Sequence, residues 1–169
     1  MGSSRKIALT IGFNTRFSSN GLQQNIVFLR NAINQIENTS AYYLWEGKEI
    51  PKDVINENEC ISYKKYLEEQ YIDLDLIIFI GYIIDQKTLN YIKEKQPNIK
   101  FISMQCGNQF VENSIRTVHN YDKVQYLNAP LLGLDSIWII PPHARHKSYM
   151  SVYYRNESVE VVPYLWDST

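Results

Sequence analysis

Residues 74–81 read LDLIIFIG, a nearly continuous run of branched apolar side chains closed by a glycine. A strand with one wet face alternates apolar and polar residues. A run without that alternation suits a strand covered on both faces, as in a parallel sheet. The apolar stretch from Leu74 to Ile84 is interrupted by Asp75 and falls far short of the ~20 residues that a membrane-crossing helix needs. It therefore reads as the central strand of a sheet.

Downstream, Asp85 is placed to cap a helix over 86–95, Pro97 closes the turn behind it, and 99–104 forms the next strand. A further strand, Ser136 to Ile140, is stopped by Pro141 and Pro142, because proline cannot donate to a ladder. A helix from about Arg145 to Tyr154 and a last strand, Val159 to Val162, follow. Upstream, KIALTIGF from Lys6 is a strand ending at Gly12. Residues 21–36 carry Leu22, Ile26, Leu29, Ile33 and Ile36 at helical spacing. Ala41 to Trp45 is a second strand, the charged stretch from Glu46 to Cys60 is an excursion without an assigned element, and Tyr63 to Gln70 is a short helix. Strands alternating with helices predict an α/β domain, a Rossmann-like parallel sheet with helices on both faces. In such sheets ligands bind outside the carboxyl ends of the strands, so chemistry is to be sought in the loops after each strand.

Composition narrows the function classes. The 169 residues are enough for one domain with a real core, and 44% apolar with 13% aromatic content excludes a disordered chain. Seventeen basic against eighteen acidic side chains give a net charge of -1, which offers no electrostatic footprint for nucleic acid. Cys60 and Cys106 lie far apart, outside any CxxC spacing, and favour a reducing, cytoplasmic setting, in which the sequons at Asn38 and Asn156 mean little. Residues 1–5 read as an expression scar without the basic-then-apolar pattern of a secretory leader. Residues 6–163 make up the α/β domain, and 164–169 form an exit segment whose Tyr164 and Trp166 have no evident partner.

Four loops follow predicted strands. In NTRFSSNGLQQN, residues 14–25, Asn20 and Gly21 lead into the first helix, whose unpaired amides suit a phosphate or a sugar hydroxyl, and Gln24 and Asn25 face outward on its first turn. A single glycine fails the GxGxxG dinucleotide fingerprint. A plain cap at Asn20 and a relieved turn at Gly21 account for those residues equally. In QCGNQFVEN, residues 105–113, Gly107 permits a tight turn and Cys106 serves as a small spacer. There Asn108 and Gln109 bind hydroxyls, and Glu112 is the lone carboxylate able to act as general base. The plainer alternative is a turn with a surface glutamate. In PPHARH, residues 141–146, His143 is a base or hydrogen-bond donor, or else a solvated loop histidine. His143 and His146 lack a local third ligand, so no metal is expected. In GYIID, capping accounts for Asp85. No hydrolase elbow, P-loop or kinase signature is present, and Cys106 has no adjacent histidine to activate it as a nucleophile. Tyr153, Tyr154, Tyr164 and Trp166 suit stacking on a sugar, but equally a core or an interface.

Taken together, NGLQQNIVFL at 20–29, QCGNQFVEN at 105–113, IWIIPPH at 137–143 and VPYLWDS at 162–168 resemble an uncharacterised family of bacterial and phage proteins. Its members look like glycosyltransferases built from two Rossmann-like domains, the GT-B arrangement. The resemblance implies that the chain is the amino-terminal, acceptor-side half of such an enzyme, inactive by itself, with the nucleotide sugar held as co-substrate by a second domain and no other cofactor. It implies cleft-lining roles for Asn20, Gly21, Gln24, Asn25, Cys106, Gly107 and Asn108. Within that scheme Glu112 or His143 deprotonates the acceptor. Gln23 departs from the glycine expected in its slot. Two rival readings stay open: a stand-alone nucleotide- or metabolite-binding module, and a non-catalytic interaction domain that docks through its aromatic exit segment.

Overall fold

A computed structural model describes residues 4–11, 21–45, 56–69, 72–80, 84–106 and 133–163. These residues form one all-parallel sheet of seven strands: β1 (Arg5–Ile11), β2 (Thr39–Trp45), β3 (Cys60–Ser62), β4 (Leu76–Ile80), β5 (Lys100–Gln105), β6 (Ser136–Ile139) and β7 (Val159–Val161). The spatial order is β3-β2-β1-β4-β5-β6-β7. The chain thus builds outward from β1 in one direction and, after returning to β4, outward in the other. The reversal lies between β1 and β4, as in the doubly wound fold expected from the sequence. The first strand starts at Arg5, one residue earlier than expected, its amide donating to Asn38 O at 2.8 Å.

Alternation along β4 sorts the core into two layers. Ile78 and Ile80 point to the face covered by α1 (Gly21–Asn34), where they join Leu9, Ile11, Tyr43 and Trp45 against Ile26, Leu29 and Ile33. Ile77 and Phe79 point to the opposite face, which carries α2 (Tyr63–Glu69), α3 (Gln86–Lys95) and α4 (Lys147–Tyr154). Burial on both sides is why the LDLIIFIG run has no polar alternation.

Helix α1 stops two residues before the expected end. The Asn34 side chain accepts the Ala41 amide at 2.7 Å, Asn38 turns the chain at φ 56, and Ile36 is left 59% exposed, although its spacing had placed it on the core stripe. The excursion to which the sequence assigned no element contains a short 3-10 turn, Glu57–Glu59, followed by the edge strand β3. Arg30 holds that edge in place. Its Nε donates to Ala41 O at 3.0 Å, and its guanidinium pairs with Glu59 at 3.0 Å.

Helix α3 begins as its sequence predicts. Asp85 accepts the Thr88 amide at 2.9 Å and the Thr88 hydroxyl at 2.8 Å, and these bonds hold its carboxyl below the ordinary range, so the cap is charged at neutral pH. Replacing Asp85 with alanine is expected to lower stability by about 0.5–2 kcal/mol. The check is a reduced urea midpoint at unchanged slope.

Candidate functional site

At the reversal of strand order the two central strands part company. β1 pairs with β4 only through Ile7↔Leu76, Ala8↔Ile77 and Leu9↔Ile78. Each strand continues for two more residues with its other neighbour, β1 with β2 as far as Ile11↔Trp45 and β4 with β5 as far as Ile80↔Met104. The two strands therefore diverge at the carboxyl edge, the edge at which open α/β sheets bind ligands. Thr10, buried at its base, bridges the parting. Its hydroxyl accepts the Ile80 amide at 3.0 Å and approaches Ile78 O at 3.5 Å, supplying the partner that the β1 main chain no longer provides. Thr10→Val would leave that buried amide unpaired, at an expected cost of about 1–3 kcal/mol, whereas Thr10→Ser should keep most of the stability. Denaturant melts of the two variants, side by side, check this.

Because the strands are parallel, the ends of β1, β5 and β6 lie on one edge, and with them the described candidates Gly21, Cys106 and His143. At ordinary strand spacing β5 stands about 10 Å and β6 about 14 Å from β1. Asn20, Gly107, Asn108, Gln109, Glu112 and the exit segment 164–169 lie outside the described residues.

The placed candidates behave unequally. A Cβ on Gly21 would meet nothing within 4 Å, so crowding does not demand glycine at the head of α1. Gln24 is exposed on the first turn, as expected. Asn25, expected to face outward on that turn, donates from Nδ2 to Gly21 O at 2.9 Å, so part of its donor capacity is used inside the helix. Cys106 packs half-buried against the α1-side core, and burial pushes its thiol up to about 11, which keeps it protonated and unreactive at neutral pH. His143 is half-buried in the 3-10 turn Pro141–His146 that the two prolines initiate, and its amide donates to Ile140 O at 2.8 Å. Its ring centroid lies 6.4 Å from that of His146, whose Nε2 accepts from Arg145 Nε at 3.1 Å. Among the described residues no group of three or more His, Cys, Asp or Glu side chains is arranged to hold a metal.

Sequence reading missed three residues at this edge. Gln23, Trp45 and Gln105 are 3%, 7% and 2% exposed, and Gln23 Oε1, Trp45 Nε1 and Gln105 Oε1 are buried without a hydrogen-bond partner. Each such atom costs about 1–3 kcal/mol relative to a satisfied one. All three stand at the carboxyl edge: Gln23 in the first turn of α1, Trp45 as the last residue of β2, Gln105 as the last of β5. Gln105 still donates from Nε2 to Ser103 Oγ at 2.8 Å. The signal for Gln23 was present in the sequence: it falls three residues before Ile26 on the apolar stripe of α1, where a polar side chain is the informative exception.

The opposite edge is of a different kind. A cavity of about 240 Å³ lies between the amino ends of β4 and β5, lined by Asp73, Asp75, Lys95 and Gln96 among others. Its polar centre is already consumed by the fold. Gln96 Oε1 accepts from Tyr66 Oη and from the Leu74 amide, each at 3.2 Å, while Gln96 Nε2 donates to Ile72 O at 3.3 Å. The Asp75 carboxylate accepts the Lys6 amide at 2.7 Å.

The family described as Protein of unknown function (DUF2827) matches residues 7–169. The chain belongs to this family. The DUF2827 match runs from within β1 to beyond β7, and so takes in the parted strands, the three side chains that each keep an unpartnered atom and the turn bearing His143. Among curated proteins none matches the chain. Within the described residues of this DUF2827 protein no helix is long and apolar enough to cross a membrane.

Proposed function

We propose that this domain is the acceptor-side half of a GT-B-like glycosyltransferase that moves a sugar from a nucleotide sugar to a hydroxyl-bearing acceptor. In this reading the enzyme works in the cytoplasm, where nucleotide sugars are available, and a second domain of similar build grips the donor. The observation that carries the reading is the parting of β1 and β4 at the carboxyl edge, with α1 opening beside it. The resemblance of the segments at 20–29, 105–113, 137–143 and 162–168 to two-domain transferases points the same way.

In the transfer step the acceptor oxygen forms a bond to the anomeric carbon as the bond from that carbon to the nucleoside phosphate breaks. A base removes the hydroxyl proton. Glu112 and His143 are the candidates for that role. His143, on the turn after β6, suits an acceptor long enough to extend along the edge from the parted strands. The donor serves as co-substrate, and the scheme uses no other cofactor.

Thermal melting of the protein with monosaccharides, nucleotide sugars and free nucleotides tests the reading. A ligand present at tenfold over Kd stabilises by about 1.4 kcal/mol, which corresponds to roughly 3–6 °C for a domain of this size. Sugars are expected to raise the melting temperature, whereas nucleotide sugars, gripped by the second domain, should do so no more than their sugar moieties allow. If free nucleotides alone do so, the protein is a nucleotide-binding module; if nothing does, the transferase reading is withdrawn.

A further inference from the structure

Sugar transfer by itself does not say what the acceptor carries besides its reacting hydroxyl. The turn after β6 bears on this through its side chains. Residues 143–147 read HARHK, and neither the turn Pro141–His146 nor α4 contains an acidic residue. Three residues make one turn of a 3-10 helix, so His143 and His146 stand on one face, with their ring centroids 6.4 Å apart. Arg145 reaches into this pair, its Nε donating to His146 Nε2 at 3.1 Å. The guanidinium is planar and rigid, so holding Nε there also holds its two terminal nitrogens beside the half-buried imidazoles. Glu160 pairs with Lys147 at 3.7 Å, and the exposed Arg145 has no acidic partner among the described residues. The other described arginines differ. Arg30 is committed to Ala41 O and Glu59, while Arg5 at the start of β1 and Arg155 just past α4 stand at the amino edge.

We propose that Arg145, positioned by His146, binds an oxyanion of the acceptor, a phosphate or carboxylate group, at the carboxyl edge of the sheet. This rests on the sugar-transfer reading and describes its acceptor as an anionic sugar. A guanidinium offers paired, parallel N–H donors that match the oxygens of either group, and such charge-assisted bonds are stronger than neutral ones. An exposed arginine ordinarily loses much of that advantage in ordering its long side chain. The bond to His146 meets part of this cost before any ligand arrives. Recognition falls to side chains, because the amides of His143 and Lys147 are used within the turn by Ile140 O and Ala144 O. An anion anchored at Arg145 also sets a neighbouring hydroxyl of the acceptor beside His143, one of the two candidate bases.

The test is ligand-observed NMR titration of wild type, Arg145→Gln, Arg145→Lys and His146→Phe with glucose, glucose-6-phosphate, glucuronate, inorganic phosphate and ADP. Wild type is expected to bind glucose-6-phosphate or glucuronate about tenfold or more tightly than glucose, the first if the oxyanion is a phosphate and the second if it is a carboxylate. Arg145→Gln should erase that advantage and leave glucose binding unchanged. Arg145→Lys should restore only part of it, because an ammonium lacks the fork, and His146→Phe should weaken the anionic sugar severalfold by releasing the guanidinium. Since Arg145 is exposed, the melting temperature of Arg145→Gln should stay within about 2 °C of wild type, which separates lost affinity from lost fold. Equal binding of charged and neutral sugars, or an advantage that survives Arg145→Gln, would overturn the inference and leave the transferase reading in place. Inorganic phosphate bound as tightly as glucose-6-phosphate would mean an adventitious ion only, and a preference for ADP would assign Arg145 to a nucleotide; either result overturns it too. If wild type binds no sugar, charged or neutral, both readings fall.

Discussion

Replacing Phe79 with alanine is expected to destabilise the protein by about 3–5 kcal/mol, the largest loss from any single substitution considered. Phe79 is 1% exposed in β4, the strand paired with both β1 and β5, and its ring lies 5.9 Å from that of Phe101 in a stacked arrangement. Removing the ring leaves a void beneath α3 that rigid neighbours on both sides prevent from closing. Against a total stability of about 5–15 kcal/mol for a domain, that loss leaves a small margin. Urea titration should show a much lower midpoint with the slope unchanged, and Phe79→Leu should recover more than half of the difference. Tyr149→Ala is the contrasting case. That residue is also stacked, 5.9 Å from Tyr153, but it is exposed on α4, so its loss should cost no more than about 1 kcal/mol.

Asp135→Ala is expected to cost about 1.5–3 kcal/mol, because a charged acceptor is removed from two hydrogen-bond donors and a neighbouring lysine charge. Its carboxylate accepts the Phe101 amide at 2.9 Å and Lys100 Nζ at 2.8 Å, and Lys93 lies at 3.9 Å. Burial works against its ionisation. The hydrogen bonds from Lys100 and Phe101 and the charges of Lys93 and Lys100 outweigh that cost and hold the carboxyl below the usual aspartate range. The sign of the pH effect follows. A depressed carboxyl contributes stability that is fully present above the unfolded value, near 3.8, and is lost as pH falls through the folded value beneath it. The stability difference between wild type and Asp135→Asn should therefore be constant at neutral pH and shrink below about pH 4. A difference that grew on acidification would show that the lysines do not stabilise the charged form.

Sequence sufficed at Phe79 and at Asp85. The run around Phe79 was legible because burial on both faces writes itself into consecutive residues, and the Asp85 cap because its partner Thr88 is only three positions away. Strand β3 was not legible: three residues with one buried side chain show no periodicity, and the strand is held in place by Arg30, distant in sequence. The ends of α1 and β1 were misjudged by one or two residues for a similar reason, since Asn34, Asn38 and Ala41 settle them through tertiary hydrogen bonds. At the candidate site, Gly21, Cys106 and His143 could be placed on one edge because parallel strands bring all their carboxyl ends together. The isolation of Gln23 Oε1 and Trp45 Nε1 could not be read, because whether a polar atom finds a partner depends on packing between elements that sequence order does not reveal. The outward-facing Asn25 illustrates the converse: its bond to Gly21 O is local, an i to i+4 contact, yet the residue type equally suited a ligand.

Among the described residues both outer strands, β3 and β7, are only three residues long, and Pro163 follows the second closely. A hydrophobic parallel sheet with long free borders would invite a neighbouring chain to add its own strand and extend the ladder indefinitely. Borders this brief offer few open amides and carbonyls for such templating. The described margins of the sheet thus give fibrillar growth little purchase in concentrated solution.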